Sequence, residues 1–94
     1  MSSPQEQRYT HTQGCEVNHM PDGFVVYQEE QEKVHYLNPT AAIVYVLCGE
    51  KQTMEAMADY LQSTFSLPES PLDSVQECVD NLLKEGLIEP CPSL

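Results

Sequence analysis

Apolar and polar side chains alternate along Cys15-Glu16-Val17-Asn18-His19-Met20, the period of a half-buried strand, and Pro21-Asp22-Gly23 then supplies turn chemistry. Phe24-Val25-Val26-Tyr27 is β-branched and aromatic. A second such run, Lys33-Val34-His35-Tyr36-Leu37, follows the polar stretch Gln28 to Glu32, which reads as a hairpin with a longer loop. Three strands suffice for a small antiparallel sheet. Such a sheet buries only one face and needs a cover.

The period then changes. Asn38-Pro39 starts a helix, because Asn can accept from the first free N–H groups and Pro at the first helical position loses no hydrogen bond. The stretch Ala41 to Leu47 is apolar on every side, so this helix, about 39–47, is expected at the centre, with Gly49 ending it as a left-handed cap. Thr53 opens a second helix whose stripe is Met54, Met57, Ala58, Leu61 and Phe65. Pro68 and Pro71 break the pattern. Asp73 with Gln76 resembles a capping box for a third helix, with Val75, Cys78, Val79, Leu82 and Leu83 on its apolar side. Gly86 stops it, and Leu87-Ile88 can fold back onto the core. The expected fold is α+β and winged helix-turn-helix-like, a three-stranded antiparallel sheet packed on three helices in the order β-β-β-α-α-α.

Length sets the domain count. Ninety-four residues make one domain, burying only roughly 60 to 65 per cent of the surface exposed by the unfolded chain. Residues 1–13, rich in Ser, Gln and Thr with Tyr9 as their aromatic group, are expected to form a disordered tail; 14–90 form the domain; 91–94 trail out.

Charge narrows the partners. Fifteen Asp and Glu stand against four Lys and Arg, a net charge of −11, whereas a phosphate-binding protein typically uses about six to ten cationic contacts. Arg8, Lys33, Lys51 and Lys84 are scattered and make no basic stripe, so nucleic acid is not an expected partner. The longest strongly apolar run, Ala41 to Cys48, is far short of the about 20 residues of a membrane span. The N-terminus lacks the basic and apolar regions of a secretory signal, and the expected location is the cytoplasm. Cys15, Cys48, Cys78 and Cys91 are read as reduced thiols.

The chain offers no defensible catalytic constellation. No nucleophile elbow or glycine-rich phosphate loop is present, His35 reads as an ordinary strand residue, and Glu29-Glu30 reads as a solvated turn. His11, Cys15 and His19 recur every four residues and could offer a metal three ligands on a helix, but the intervening Thr, Gly, Val and Asn are poor helix formers. Neither metal nor cofactor is expected. Leu72-Asp73-Ser74-Val75 resembles the phosphopantetheine site of an acyl or peptidyl carrier protein. Only twenty residues remain after Ser74, however, and residues 24–37 read as strands, which an all-helical carrier cannot use.

The residues from Asp22 to Glu89 carry a further likeness. Asp22-Gly23-Phe24-Val25-Val26-Tyr27, Val34-His35-Tyr36-Leu37-Asn38-Pro39-Thr40-Ala41-Ala42, Leu47-Cys48-Gly49, Thr53-Met54-Glu55, Asp73 to Val79 and Leu82-Leu83-Lys84-Glu85-Gly86-Leu87-Ile88 resemble, in order, the family of coenzyme pyrroloquinoline quinone synthesis protein D (PqqD). Leu-Asn-Pro-Thr-Ala-Ala is the most specific piece. Tyr45 stands where many relatives have Trp, and no Asp precedes Gly49.

That resemblance implies a peptide-recognition element rather than an enzyme. Such a protein binds the leader of a ribosomally made precursor peptide and presents it to a modifying enzyme, a radical S-adenosylmethionine enzyme or another maturase. It implies that the leader adds a strand along the third strand, with Lys33, Val34, His35, Tyr36 and Leu37 as the docking edge. Val75, Val79, Leu82 and Leu83 would form the apolar wall opposite, and Gln76, Asp80 and Lys84 its rim. The assembly is expected to be a monomer or a strand-swapped or edge-paired dimer. The rival readings are a carrier protein modified at Ser74 and a winged-helix DNA binder.

Overall fold

The computed structural model describes residues 7–91. Eight elements follow one another: β1 (Tyr9–His11), β2 (Cys15–Met20), β3 (Gly23–Gln28), β4 (Lys33–Leu37), α1 (Pro39–Gly49), α2 (Met54–Thr64), α3 (Leu72–Lys84) and β5 (Ile88–Pro90). The expected three-stranded sheet is present in the order β2-β3-β4, antiparallel throughout. Its β3–β4 register pairs Phe24 with Leu37 and Gln28 with Lys33, so the hairpin loop is Glu29 to Glu32. Helix α1 packs on the sheet, and α2 and α3 pack against α1 and each other; the fold class is the one the sequence pattern predicts.

Helix α1 sits at the centre. Asn38 caps it by accepting from the Ala41 N–H at 2.8 Å, with Pro39 in its first turn. Ala42, Val44, Tyr45, Leu47 and Cys48 are buried, while Val46 is 41 % exposed on the one flank left uncovered. Thr53 caps α2 through the Ala56 N–H at 3.1 Å. The core also takes in Val26 from β3, Met57 and Leu61 from α2, and Val75, Val79 and Leu82 from α3.

Several local expectations need correction. The predicted disordered tail, 1–13, contains β1, which pairs antiparallel with β5, Tyr9 opposite Pro90 and His11 opposite Ile88. Burial of Tyr9 and a side-chain anchor supply what the polar composition hid: His11 donates from Nε2 to the Tyr45 carbonyl at 2.6 Å, and its ring stacks on the Tyr45 ring at 3.9 Å. Residues 1–6 and 92–94 lie outside the described residues. Cys91, assigned to the trailing end, donates its backbone N–H to the Arg8 carbonyl at 2.8 Å.

Gly49 is not a left-handed cap. It closes α1 in ordinary helical geometry, and the left-handed residue is Lys51, φ 59°. A Cβ on residue 49 would come within 2.5 Å of the His11 ring, so the glycine makes room for β1's anchor. Asp73 does not cap α3 either: the helix starts earlier, Pro71 occupies the cap position, and no side chain bonds the free amides. Asp73 instead lies in the first turn, where its charge complements the helix dipole. Phe65 leaves the α2 stripe because the helix ends at Thr64, and its side chain is exposed.

Candidate functional site

Strand β4 ends the sheet order, so its outer edge has no strand partner among the described residues. An edge strand presents a row of N–H and C=O groups that seek a partner. Beside this edge lies a groove of about 430 Å³ between β4 and α3. Leu37, Leu82 and Leu87 form its buried floor and Ala41 and Cys78 its half-buried sides, while Val34 and Tyr36 stand exposed along the strand. Asn38, His35, Asn81 and Glu85 supply its polar groups.

A polar tie fixes the sheet to the end of α3. Gln28, only 5 % exposed, donates its amide to the Glu85 carbonyl at 2.9 Å and to the Gly86 carbonyl at 3.3 Å. Its side-chain oxygen accepts from His35 Nε2 at 2.7 Å, which places the ring proton on that nitrogen. His35 Nδ1 then faces the Glu85 carboxylate at 3.5 Å, an ion pair whenever the ring is protonated. At the other end of the strand the Tyr36 hydroxyl donates to the Asp22 carbonyl at 2.7 Å and steadies the β2–β3 turn.

The structure brings together part of the residue set expected from sequence. Val34, His35, Tyr36, Leu37 and Leu82 line the groove. Val75 and Val79 have no exposed surface and belong to the core instead, because α3 turns its strongest apolar stripe toward α1 and α2. Leu83 is partly buried against that core, and Gln76, Asp80 and Lys84 are exposed but outside the groove lining; Lys33 flanks its end without lining it. The groove face of α3 is Cys78, Asn81, Leu82 and Glu85, spaced i, i+3, i+4 and i+7, one flank round from the stripe. That mixed spacing was the available signal.

The groove offers little reactive chemistry. Burial, with a smaller contribution from the charge of Glu77, pushes the Cys78 thiol up, so it stays protonated at neutral pH. Among the described residues no three His, Cys, Asp or Glu side chains gather as metal ligands. His11 is engaged on α1, and His19 on β2 stacks on Phe24 at 4.4 Å.

The Coenzyme PQQ synthesis protein D (PqqD) family model matches residues 23–88. The chain belongs to the PqqD family. That match spans the sheet hairpin, all three helices and the whole groove. By structure the chain is similar to TbiB1 in complex with the TbiA(beta) leader peptide, at a TM-score of 0.76 and 15 % identity over 89 % of this chain and 99 % of that one. It is also similar to lasso peptide synthetase B1 complexed with the leader peptide, at a TM-score of 0.73 and 18 % identity over 88 % and 99 %. At such identities the likeness is one of fold. A comparison with curated proteins by sequence finds no significant match. The PqqD match and the strands at residues 23–37 remove the all-helical carrier reading, and Ser74 sits exposed in the first turn of α3. Neither comparison favours DNA binding.

Proposed function

We propose that this PqqD-family chain is a non-catalytic adaptor that binds the leader of a ribosomally made precursor peptide by strand addition along β4 and presents it to a modifying enzyme. The observation that carries the reading is the β4 edge, without a strand partner among the described residues, set beside a groove with an apolar floor and polar groups along it. Backbone hydrogen bonds to the edge give register and affinity, while alternate side chains entering the groove give selectivity. Both structural neighbours are complexes with leader peptides, which supports the same use of this fold. The docking residues on this reading are Val34 to Leu37 on the strand and Cys78, Asn81, Leu82 and Glu85 on the helix. Lys33 flanks the strand end.

Magnitudes define what the groove must do. Two or three leader anchors contribute about 1.5 to 3 kcal/mol each when buried, and ordering a flexible leader offsets about 2 to 5 kcal/mol or more. A micromolar complex requires about −8 kcal/mol, so strand hydrogen bonds are needed beside the anchors. Calorimetric titration of the leader from the same biosynthetic cluster tests this. A proline placed where the leader donates to β4 is expected to weaken binding more than truncation of any one anchor to alanine. Equal losses overturn strand addition.

A further inference from the structure

We propose that a second hollow, between the β2–β3 turn, α1 and α2, is the docking site for a segment of a partner protein that inserts one apolar side chain and flanks it with Lys or Arg. That this partner is the modifying enzyme rests on the adaptor reading; the surface itself does not. The hollow measures about 520 Å³ and shares no lining residue with the groove. Its walls include Met20, Phe24, Ile43, Val46 and Tyr60, and Glu50 is the single charged residue among its lining.

Three observations carry the inference. Seven large hydrophobic side chains are exposed among the described residues, and Met20, Val46 and Tyr60 converge on this hollow from three different elements. The outward flank of a solvated helix is ordinarily polar, yet Val46 on α1 and Tyr60 on α2 face one another's side uncovered. Convergent exposed apolar groups of this kind mark interaction surfaces. Charge then selects the occupant. Asp22, Glu50 and Asp59 belong to or adjoin the lining in sequence, against Lys51 alone, in a chain of net charge −11. A second copy would bring two acidic-rimmed surfaces of two chains of −11 together, so self-association is disfavoured. A partner with cationic flanks gains from the same field.

A random peptide library displayed on phage and selected against the intact chain tests this. Binders are sorted with Val46→Glu and Tyr60→Gln, both at exposed positions, and with Asn81→Trp, which fills the leader groove. Two classes are expected. One is lost on Asn81→Trp and kept on the other two variants, which shows that those variants are folded. The second is weakened by about tenfold or more on Val46→Glu and on Tyr60→Gln, and kept on Asn81→Trp. It carries an aromatic or branched aliphatic anchor between basic residues, and its affinity falls several-fold between roughly 50 and 300 mM salt. A groove class with no hollow class overturns this inference and leaves the adaptor reading standing. A hollow class without a groove class does the reverse. Hollow binders with acidic flanks, or with affinity independent of salt, overturn the choice of occupant.

Discussion

Three residues past the ends of three helices adopt the same left-handed geometry, and only one of them is a glycine. Lys51, Ser66 and Gly86 have φ of 59°, 52° and 77°. Each donates back into its helix and the following residue bonds the carbonyl one residue deeper: Gln52 to Leu47 at 3.2 Å, Leu67 to Gln62 and Leu87 to Leu82, both at 2.9 Å. This is the Schellman closure, in which a left-handed residue lets two otherwise free carbonyls be satisfied. A side chain in that conformation costs roughly 1 to 2 kcal/mol, and glycine recovers part of it at the expense of a more flexible unfolded chain. Lys51→Gly is therefore expected to stabilise the protein by about 0.5 to 1 kcal/mol, read from the midpoint of urea unfolding. Gly86→Ala is expected to do the opposite by a similar or larger amount. A neutral Lys51→Gly would show that the unfolded-state entropy cancels the strain.

At the scale of elements, β1 depends on a contact that no period in the sequence announces. The Tyr45 carbonyl, in the middle of α1, is open to His11 because the residue four positions on is Gly49 and carries no side chain. Gly49→Ala brings two opposed effects: a better helix former gains about 1 kcal/mol, and crowding of the His11 ring costs about 1 to 3 kcal/mol. Gly49→Ala alone is expected to release β1, seen as faster amide exchange at residues 9–11 and no gain in stability. In a His11→Ala background the same change is expected to stabilise by about 1 kcal/mol; identical effects in both backgrounds would remove the anchor role. The elements that were legible in sequence are those whose own chemistry specifies them: the hairpin runs, the Asn38-Pro39 and Thr53 starts, and the α2 stripe up to Leu61. Tyr9 to His11 was illegible because its partners are distant in sequence, Tyr45 34 residues from His11 and Ile88 to Pro90 across the sheet. The site divides in the same manner. The docking role of β4 is what the family resemblance implies, whereas the face of α3 that borders it depends on the rotation of that helix, and periodicity favoured the stripe that goes into the core.

Across the whole molecule, charge and burial act together at high pH. Burial pushes the Cys48 thiol up to about 12 from 9.0, with a smaller push from Cys78. Burial does the same to the Tyr45 hydroxyl, up to about 12 from 10.0. Tyr9, Cys15 and Cys78 shift in the same direction, each first through burial. For every one of these groups the neutral form is the one that the fold keeps. Between the unfolded and folded values the unfolded chain has released protons that the folded chain still holds, so the unfolded state binds fewer protons and stability falls as pH rises. The stabilisation is fully present below about 9, the unfolded cysteine value, and is lost as pH climbs through the folded values. A chain already at −11 repels itself further with each thiolate formed, which steepens the same limb. Urea unfolding is therefore expected to show a plateau near neutrality and a progressive loss of midpoint from about pH 9 to about pH 12. Added salt should soften the component due to net charge and leave the buried groups' share in place, since screening reaches exposed charges far more than buried ones. Cys48 donates its thiol to the Met57 sulfur at 3.9 Å, and Cys48→Ala would lower stability near neutral pH but flatten the alkaline slope. An alkaline slope unchanged by that substitution would remove Cys48 from the loss and leave it to the other buried groups and the net charge.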